Sequence, residues 1–117
     1  MEAMKRTHTC GGLRKSDAGK KVILNGWVHR KRDHGGIFFI NLRDRYGITQ
    51  VVVDSNNLQP GSGLGVIAAE LHNEYCLAVE GTVRQRPDSM VNPEMDTGEI
   101  EVEAVNMVIL SRCEVLP

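Results

Sequence analysis

Residues 37–54 read IFFINLRDRYGITQVVVD, and the fold can be built outward from this stretch. Two runs rich in β-branched and aromatic residues, IFFINLRD at 37–44 and ITQVVVD at 48–54, flank the turn signal Tyr46-Gly47. That pattern predicts two antiparallel strands joined as a hairpin. Within the first run Phe38, Ile40 and Leu42 share one face, while Ile37, Phe39, Asn41 and Arg43 share the other. A strand's period of two makes these sets exclusive. The first set is wholly apolar and faces a core, so Phe39 falls on the outward face among polar neighbours.

Upstream, KVILNGWVHRK at residues 21–31 reads as a strand that runs into charge, and Gly35-Gly36 supplies a turn before residue 37. Downstream, the polar, Gly-rich residues 55–63 read as a loop. LGVIAAELHN at 64–73 then places Leu64, Ile67, Ala68 and Leu71 on one helical face. Residues 75–86 and 99–110 read as the last two strands, separated by a loop at 87–98 that contains two prolines. In the fourth strand Leu77, Val79, Gly81 and Val83 alternate with Ala78, Glu80, Thr82 and Arg84; in the fifth, Ile100, Val102 and Ala104 alternate with Glu99, Glu101 and Glu103. The order β-β-β-α-β-β predicts an all-β OB fold, a five-stranded Greek-key barrel with one helix between strands 3 and 4. Residues 1–117 are expected to form a single domain, about the first 20 of them an N-terminal extension, with residues 1–3 set aside from the fold. No internal repeat or low-complexity tract interrupts the pattern.

The composition, 41% hydrophobic and 25% charged over 117 residues, is that of an ordinary globular domain. No apolar run approaches the roughly 20 residues of a membrane span, and no signal-peptide pattern opens the chain. Cys10, Cys76 and Cys113 are odd in number and far apart, which argues against a disulfide framework or zinc knuckle and for a reducing cytoplasm. His8 and His29 have no metal-site spacing with the cysteines, and no metal is expected. Charge is unevenly distributed. Through Arg45, eleven Lys/Arg stand against four Asp/Glu; from Tyr46 onward the ratio is three against eleven. The basic block His29-Arg30-Lys31-Arg32 is either a phosphate-facing surface or a solvated basic face.

An outward phenylalanine has two readings. A loop could cover it, or it could be one more apolar group of an ordinary surface. Alternatively it is a stacking platform for a nucleobase, worth roughly 1–3 kcal/mol per base. Asn41, Arg43, Gln50, Arg84 and Arg86 are expected around it, and donors and acceptors beside one ring suit a splayed-out base whose edge is read.

The stretch GWVHRKRDHGGIFFINLRDRYGITQVVVD at residues 26–54 closely resembles the anticodon-binding domain of bacterial aspartyl-tRNA synthetases. The similarity continues through LHNEYCLAVEGTVRQRP at 71–87, TGEIEVEA at 97–104 and VLP at 115–117. It covers nearly the whole chain, and GWV-x-R-(K/R)-R-D followed by F-(I/V)-x-L-R-D is far more specific than a generic OB pattern. The resemblance implies a recognition module for tRNA-Asp, and for tRNA-Asn in relaxed members of the family. It implies no catalytic residue, cofactor or metal for these residues, because the family's ATP- and Mg-using catalytic domain is a separate unit with no motif here. It further implies a cytoplasmic, non-membrane parent enzyme that is commonly a homodimer.

Residue by residue, the resemblance gives Phe39 the role of stacking on an anticodon base. Gln50 is expected to read the middle uracil, whose edge needs both a donor and an acceptor. Arg32 offers its guanidinium fork to base oxygen or phosphate. Glu101 is expected to face the first base, guanine, and Arg84 and Arg86 the third base and its backbone. Gln50 read instead as a surface amide, and Glu101 as a cross-strand ion-pair partner, remain open. Arg30 and Lys31 read as phosphate neutralisers or solvated charge, Asn41 and Arg43 as weaker candidates, and His72 as a weak RNA contact. Trp27 with Gly26 reads as barrel packing. His34 stands where strictly tRNA-Asp-specific relatives tend to have leucine, and so resembles members that also accept tRNA-Asn. Met90 stands where relatives carry a polar contact to the third base, which puts that contact in doubt. The competing functions are a sequence-indifferent single-strand-binding OB module and a protein-interaction module using the acidic second half.

Overall fold

The first strand has a neighbour on each side, and that is what closes the sheet. The computed structural model describes residues 5–56 and 63–112, and contains strands β1 (Lys21–His34), β2 (Ile37–Asp44), β3 (Gly47–Asp54), β4 (Cys76–Gln85) and β5 (Ile100–Ser111), with helix α1 (Leu64–Glu70) between β3 and β4. The strands close in the order β1-β2-β3-β5-β4. The first part of β1 pairs with β4 from Lys21 to Trp27, and the later part with β2 from Trp27 to His34. β3 meets β5 in parallel at Val51–Val102 and Val52–Glu103, and every other pairing is antiparallel. This is the predicted barrel. Cys113 and the VLP motif at 115–117 lie outside the described residues, as does part of the predicted 55–63 loop.

The alternation rule identified the core. Phe38, Ile40 and Leu42 of β2 are buried with Leu77, Val79 and Val83 of β4 and Ile100, Val102 and Ala104 of β5. Helix α1 adds Leu64 and Ala68 to this core, and Leu71 follows just beyond it. The helix is three residues shorter than the pattern predicts. The chain becomes extended at Leu71 (φ −62°, ψ 137°), which keeps that side chain buried. The last turn has its own stop: Lys31 Nζ donates to the carbonyls of Ala68 and Ala69, each at 3.1 Å. A cation there adds to the long bond that the Ala68 carbonyl accepts from the Leu71 N–H, at 3.4 Å, and reaches the Ala69 carbonyl beside it.

The residues before β1 are more than an extension. Cys10 and Leu13 are fully buried and join the core cluster. The Cys10 backbone N–H donates to Asp44 Oδ2 at 2.8 Å, and Thr49 Oγ1 donates to the Cys10 carbonyl at 2.6 Å. Asp44 Oδ1 also accepts from the backbone N–H groups of Tyr46 and Gly47. One nearly buried carboxylate thus shapes the β2–β3 turn and seats the N-terminal strap on it. Burial, with Asp44 adding to it, pushes the Cys10 thiol well above its ordinary range, so it stays neutral.

A candidate nucleic-acid interface on the outer face of the barrel

One extra residue in β1 decides what stands beside Phe39. Val28 pairs with Leu42, but the next pair is Arg30 with Asn41, so His29 is an unpaired bulge. Strict alternation from the buried Val22, Leu24 and Val28 would send Arg30 and Arg32 inward. The bulge resets the parity, so Arg30 lies beside Asn41 and Arg32 beside Phe39 on the outer face. Gly26, just before it, lets the strands close up: a Cβ there would sit 2.4 Å from the Arg43 carbonyl oxygen. Trp27 beside it is half-buried, in keeping with a packing role.

Phe39 faces outward and is half-buried. The Arg32 guanidinium carbon lies 5.5 Å from its ring centroid, and the His34 ring meets it edge-on at 5.7 Å and 73°. Across β3, Val52 is its register partner, and Glu103 of β5 follows. Ile37, Phe39, Val52, Asp54, Arg84, Pro87, Met90 and Glu101 line a hollow of about 160 Å³. Its apolar lining is Ile37, Phe39, Val52, Pro87 and Met90, and its polar lining Asp54, Arg84 and Glu101. Apolar surface with a few polar groups suits one flat ring with polar edges, and the volume is too small for a drug-sized ligand.

Gln50 lies behind this hollow and Glu101 in its wall, and both are more buried than outward parity predicts, at 4% and 6% exposure. They cover one another. Gln50 Nε2 donates to Glu101 Oε1 at 3.0 Å, Arg84 Nε donates to Glu101 Oε2 at 2.7 Å, and Arg84 Nη1 reaches Glu103 Oε2 at 3.1 Å. In this free chain Glu101 is the cross-strand ion-pair partner. A carboxylate only accepts, so the Gln50 amide must turn its NH2 toward Glu101. That fixes the amide flip and leaves the Gln50 carbonyl oxygen and a second N–H for another partner.

Arg86 departs further from its predicted place. It is buried at 7% exposure, with Nε donating to the Ile100 carbonyl at 2.8 Å and Nη1 to the Met90 carbonyl at 3.3 Å. Burial lowers its pKa from the ordinary guanidinium value; Glu101 pulls it back up and Arg32 adds to the lowering. Lys31 is occupied at the end of α1 and lies 5.6 Å from the Phe38 ring centroid on the inner side, so it is not on the Phe39 face. His72 sits in the α1–β4 connection, edge-on to Tyr75 at 5.5 Å, and takes no part in the hollow. Arg30 is exposed and Asn41 half-buried on the strip between.

Arg43 belongs to a second, larger hollow of about 400 Å³, lined also by Gly11, Asp44, Arg45, Tyr46, Ile48, Glu94, Met95, Asp96 and Thr97. None of the other predicted recognition residues lines it. The sequence could not reveal the His29 bulge, nor that Pro87 and Met90 return to the Phe39 face. Only the family resemblance drew attention to Met90. Among the described residues no group of three His, Cys, Asp or Glu could hold a metal ion, and no helix is long and apolar enough to cross a membrane.

A closed five-stranded barrel with a half-exposed aromatic ring, an arginine beside it and a polar row behind it has the makeup of an OB barrel that binds single-stranded nucleic acid. The chain belongs to the tRNA anti-codon family, an OB-fold nucleic acid binding domain, which matches residues 22–110. Over its whole length it is 63% identical to the aspartate–tRNA(Asp/Asn) ligase of Treponema denticola, and it is 54% identical over 114 residues to the ligase of that name from Thermotoga maritima. The chain spans 19% of the length of each of these relatives. Among solved structures, asparaginyl-tRNA synthetase from Pyrococcus horikoshii complexed with asparaginyl-adenylate superposes with a TM-score of 0.74 at 28% identity, covering 94% of this chain and 23% of that one.

Proposed function

We propose that this barrel binds the anticodon loop of tRNA-Asp, and also that of tRNA-Asn, as the recognition module of an aspartate–tRNA ligase. The observation that carries this reading is the Phe39 ring, placed on the outer face beside an arginine and in front of an oriented carboxamide. A base stacked on Phe39 gains from the ring. The Gln50 carbonyl can accept the N3–H of a middle uracil while its spare N–H donates to a uracil carbonyl oxygen. Cytosine there presents an acceptor at N3 and meets the carbonyl badly. Arg32 supplies a further donor, and Arg30 neutralises phosphate nearby. Glu101 takes one donor on each oxygen, from Gln50 and Arg84, and each oxygen keeps a second lone pair for the donors of a first-base guanine. Arg84 stands at the rim for the third base. The name of the relatives, aspartate–tRNA(Asp/Asn) ligase, together with the resemblance at His34, supports acceptance of both tRNAs, whose anticodons differ only in the last base.

On the same reading the whole enzyme joins aspartate to tRNA in the cytoplasm as a homodimer, using ATP and Mg at a catalytic unit separate from this barrel. The test is binding of anticodon stem-loops to this chain. A loop bearing GUC is expected to bind more tightly than one with the middle base changed to C, and GUC and GUU within a few-fold of each other. Equal affinity for every sequence would instead identify a general single-strand-binding module, and no RNA binding a protein-interaction module. A preference for GUC over GUU of many tens of fold would remove tRNA-Asn.

A further inference from the structure

The 87–98 loop is held as a built structure. The Arg86 backbone N–H donates to the Glu99 carbonyl at 2.9 Å, while the side chain spans from Ile100, at the start of β5, to the Met90 carbonyl, with Nη2 4.0 Å from Met95 Sδ. A single guanidinium therefore joins the loop's far end to its middle. Asn92 N–H donates to the Gly98 carbonyl at 3.0 Å, and a Cβ on Gly98 would sit 1.7 Å from the Asn92 carbonyl oxygen, so the two arms touch where only glycine fits. Thr97 Oγ1 donates to the Ile48 carbonyl and fastens the same arm to β3. The outcome is that Met90, 48% exposed, is delivered to the lining of the Phe39 hollow. A guanidinium kept for phosphate would face water; this one is desolvated and spends its donors on its own chain. A thioether is soft and polarizable and suits contact with an aromatic system.

We propose that Arg86 is a positioning residue: through the 87–98 loop it holds Met90 as the loop-side wall of the hollow in which a base stacks on Phe39. This rests on the anticodon-binding reading above and deepens it by adding Met90 as a contact to the stacked base. The experiment measures binding of a GUC stem-loop to this chain and to Arg86→Gln, Met90→Ala and the double variant, across a range of salt, with Phe39→Ala alongside. Arg86→Gln and Met90→Ala are each expected to weaken binding roughly three- to tenfold. The double variant is expected to be no worse than the weaker single one within about twofold, because both remove the same wall. The slope of log affinity against log salt is expected to stay as in the parent chain. Losses that multiply in the double variant, or a slope shallower by about one in Arg86→Gln, would show a direct RNA contact and overturn the proposal. If Phe39→Ala loses no affinity, the stacking site itself fails, a result separable from either. If Arg86→Gln does not fold by circular dichroism, Thr97→Val carries the test. It is then expected to show the same loss, non-additive with Met90→Ala, and unchanged affinity in Thr97→Val would overturn the proposal.

Discussion

Phe39 and Tyr46 are both aromatic side chains of the β2–β3 hairpin with cations beside them. Arg32 lies 5.5 Å from the Phe39 centroid, and Arg6 and Arg45 lie 5.6 and 5.9 Å from that of Tyr46. Tyr46 has the larger hollow and is the more exposed, at 55%. By composition alone the two are nearly interchangeable. Their supports differ. Phe39 sits in the middle of a ladder, and its surroundings come from β3, β4, β5 and a fastened loop, so the ring and the polar groups around it keep fixed positions. Tyr46 sits on a turn whose hydrogen bonds run inward to Asp44 and the N-terminal strap, with Glu94 and Asp96 close by. An aromatic with an arginine defines no recognition site until its neighbours are fixed as well. One end of the hairpin carries the binding surface proposed above; the other seats the N-terminal strap on the barrel.

Four substitutions press on that contrast. The largest effect is expected at the holding end: Asp44→Ala strips the acceptor from three backbone N–H groups and is expected to cost about 3 kcal/mol of stability, lowering Tm by roughly 10 °C. A thermal melt within a couple of degrees of the parent would show that this seam is not structural. At the binding end, Phe39→Ala is expected to lose roughly 1–3 kcal/mol of stem-loop affinity with normal circular dichroism. Unchanged affinity in a titration would take the ring out of the site. Arg30→Ala is expected to weaken binding modestly and to lower the salt slope by about one, leaving base preference alone. Altered discrimination between GUC and its middle-base variant would make Arg30 a reader instead. The smallest effect is expected for Tyr46→Ala, within about 0.5 kcal/mol for both folding and RNA binding. A tenfold affinity loss there would erase the distinction between the two ends.

The strands and the core were legible in the sequence because period-two alternation survives wherever pairing is regular. Phe38 in and Phe39 out follow from that rule alone. The rule has no means of seeing an unpaired residue, which is why the facing of Arg30 and Arg32 emerged only with the His29 bulge. Outward parity also predicts exposure only where neighbours are short. Arg84 lies across Glu101, and Gln50 bonds to it, so two outward residues are buried. Arg86 shares the parity of Arg84 but folds back onto carbonyls set by a loop conformation that no local pattern encodes. The family resemblance supplied roles for these side chains, and the structure supplies the partners they already have.

The bulge at His29 makes β1 two strands in sequence, each phased to a different neighbour. Were His29 drawn into the ladder with the chain at its present length, every later side chain would change face, carrying two guanidinium groups toward an apolar interior. Leaving one residue without a partner is what lets the strand seal the sheet on both sides and keep those cations wet.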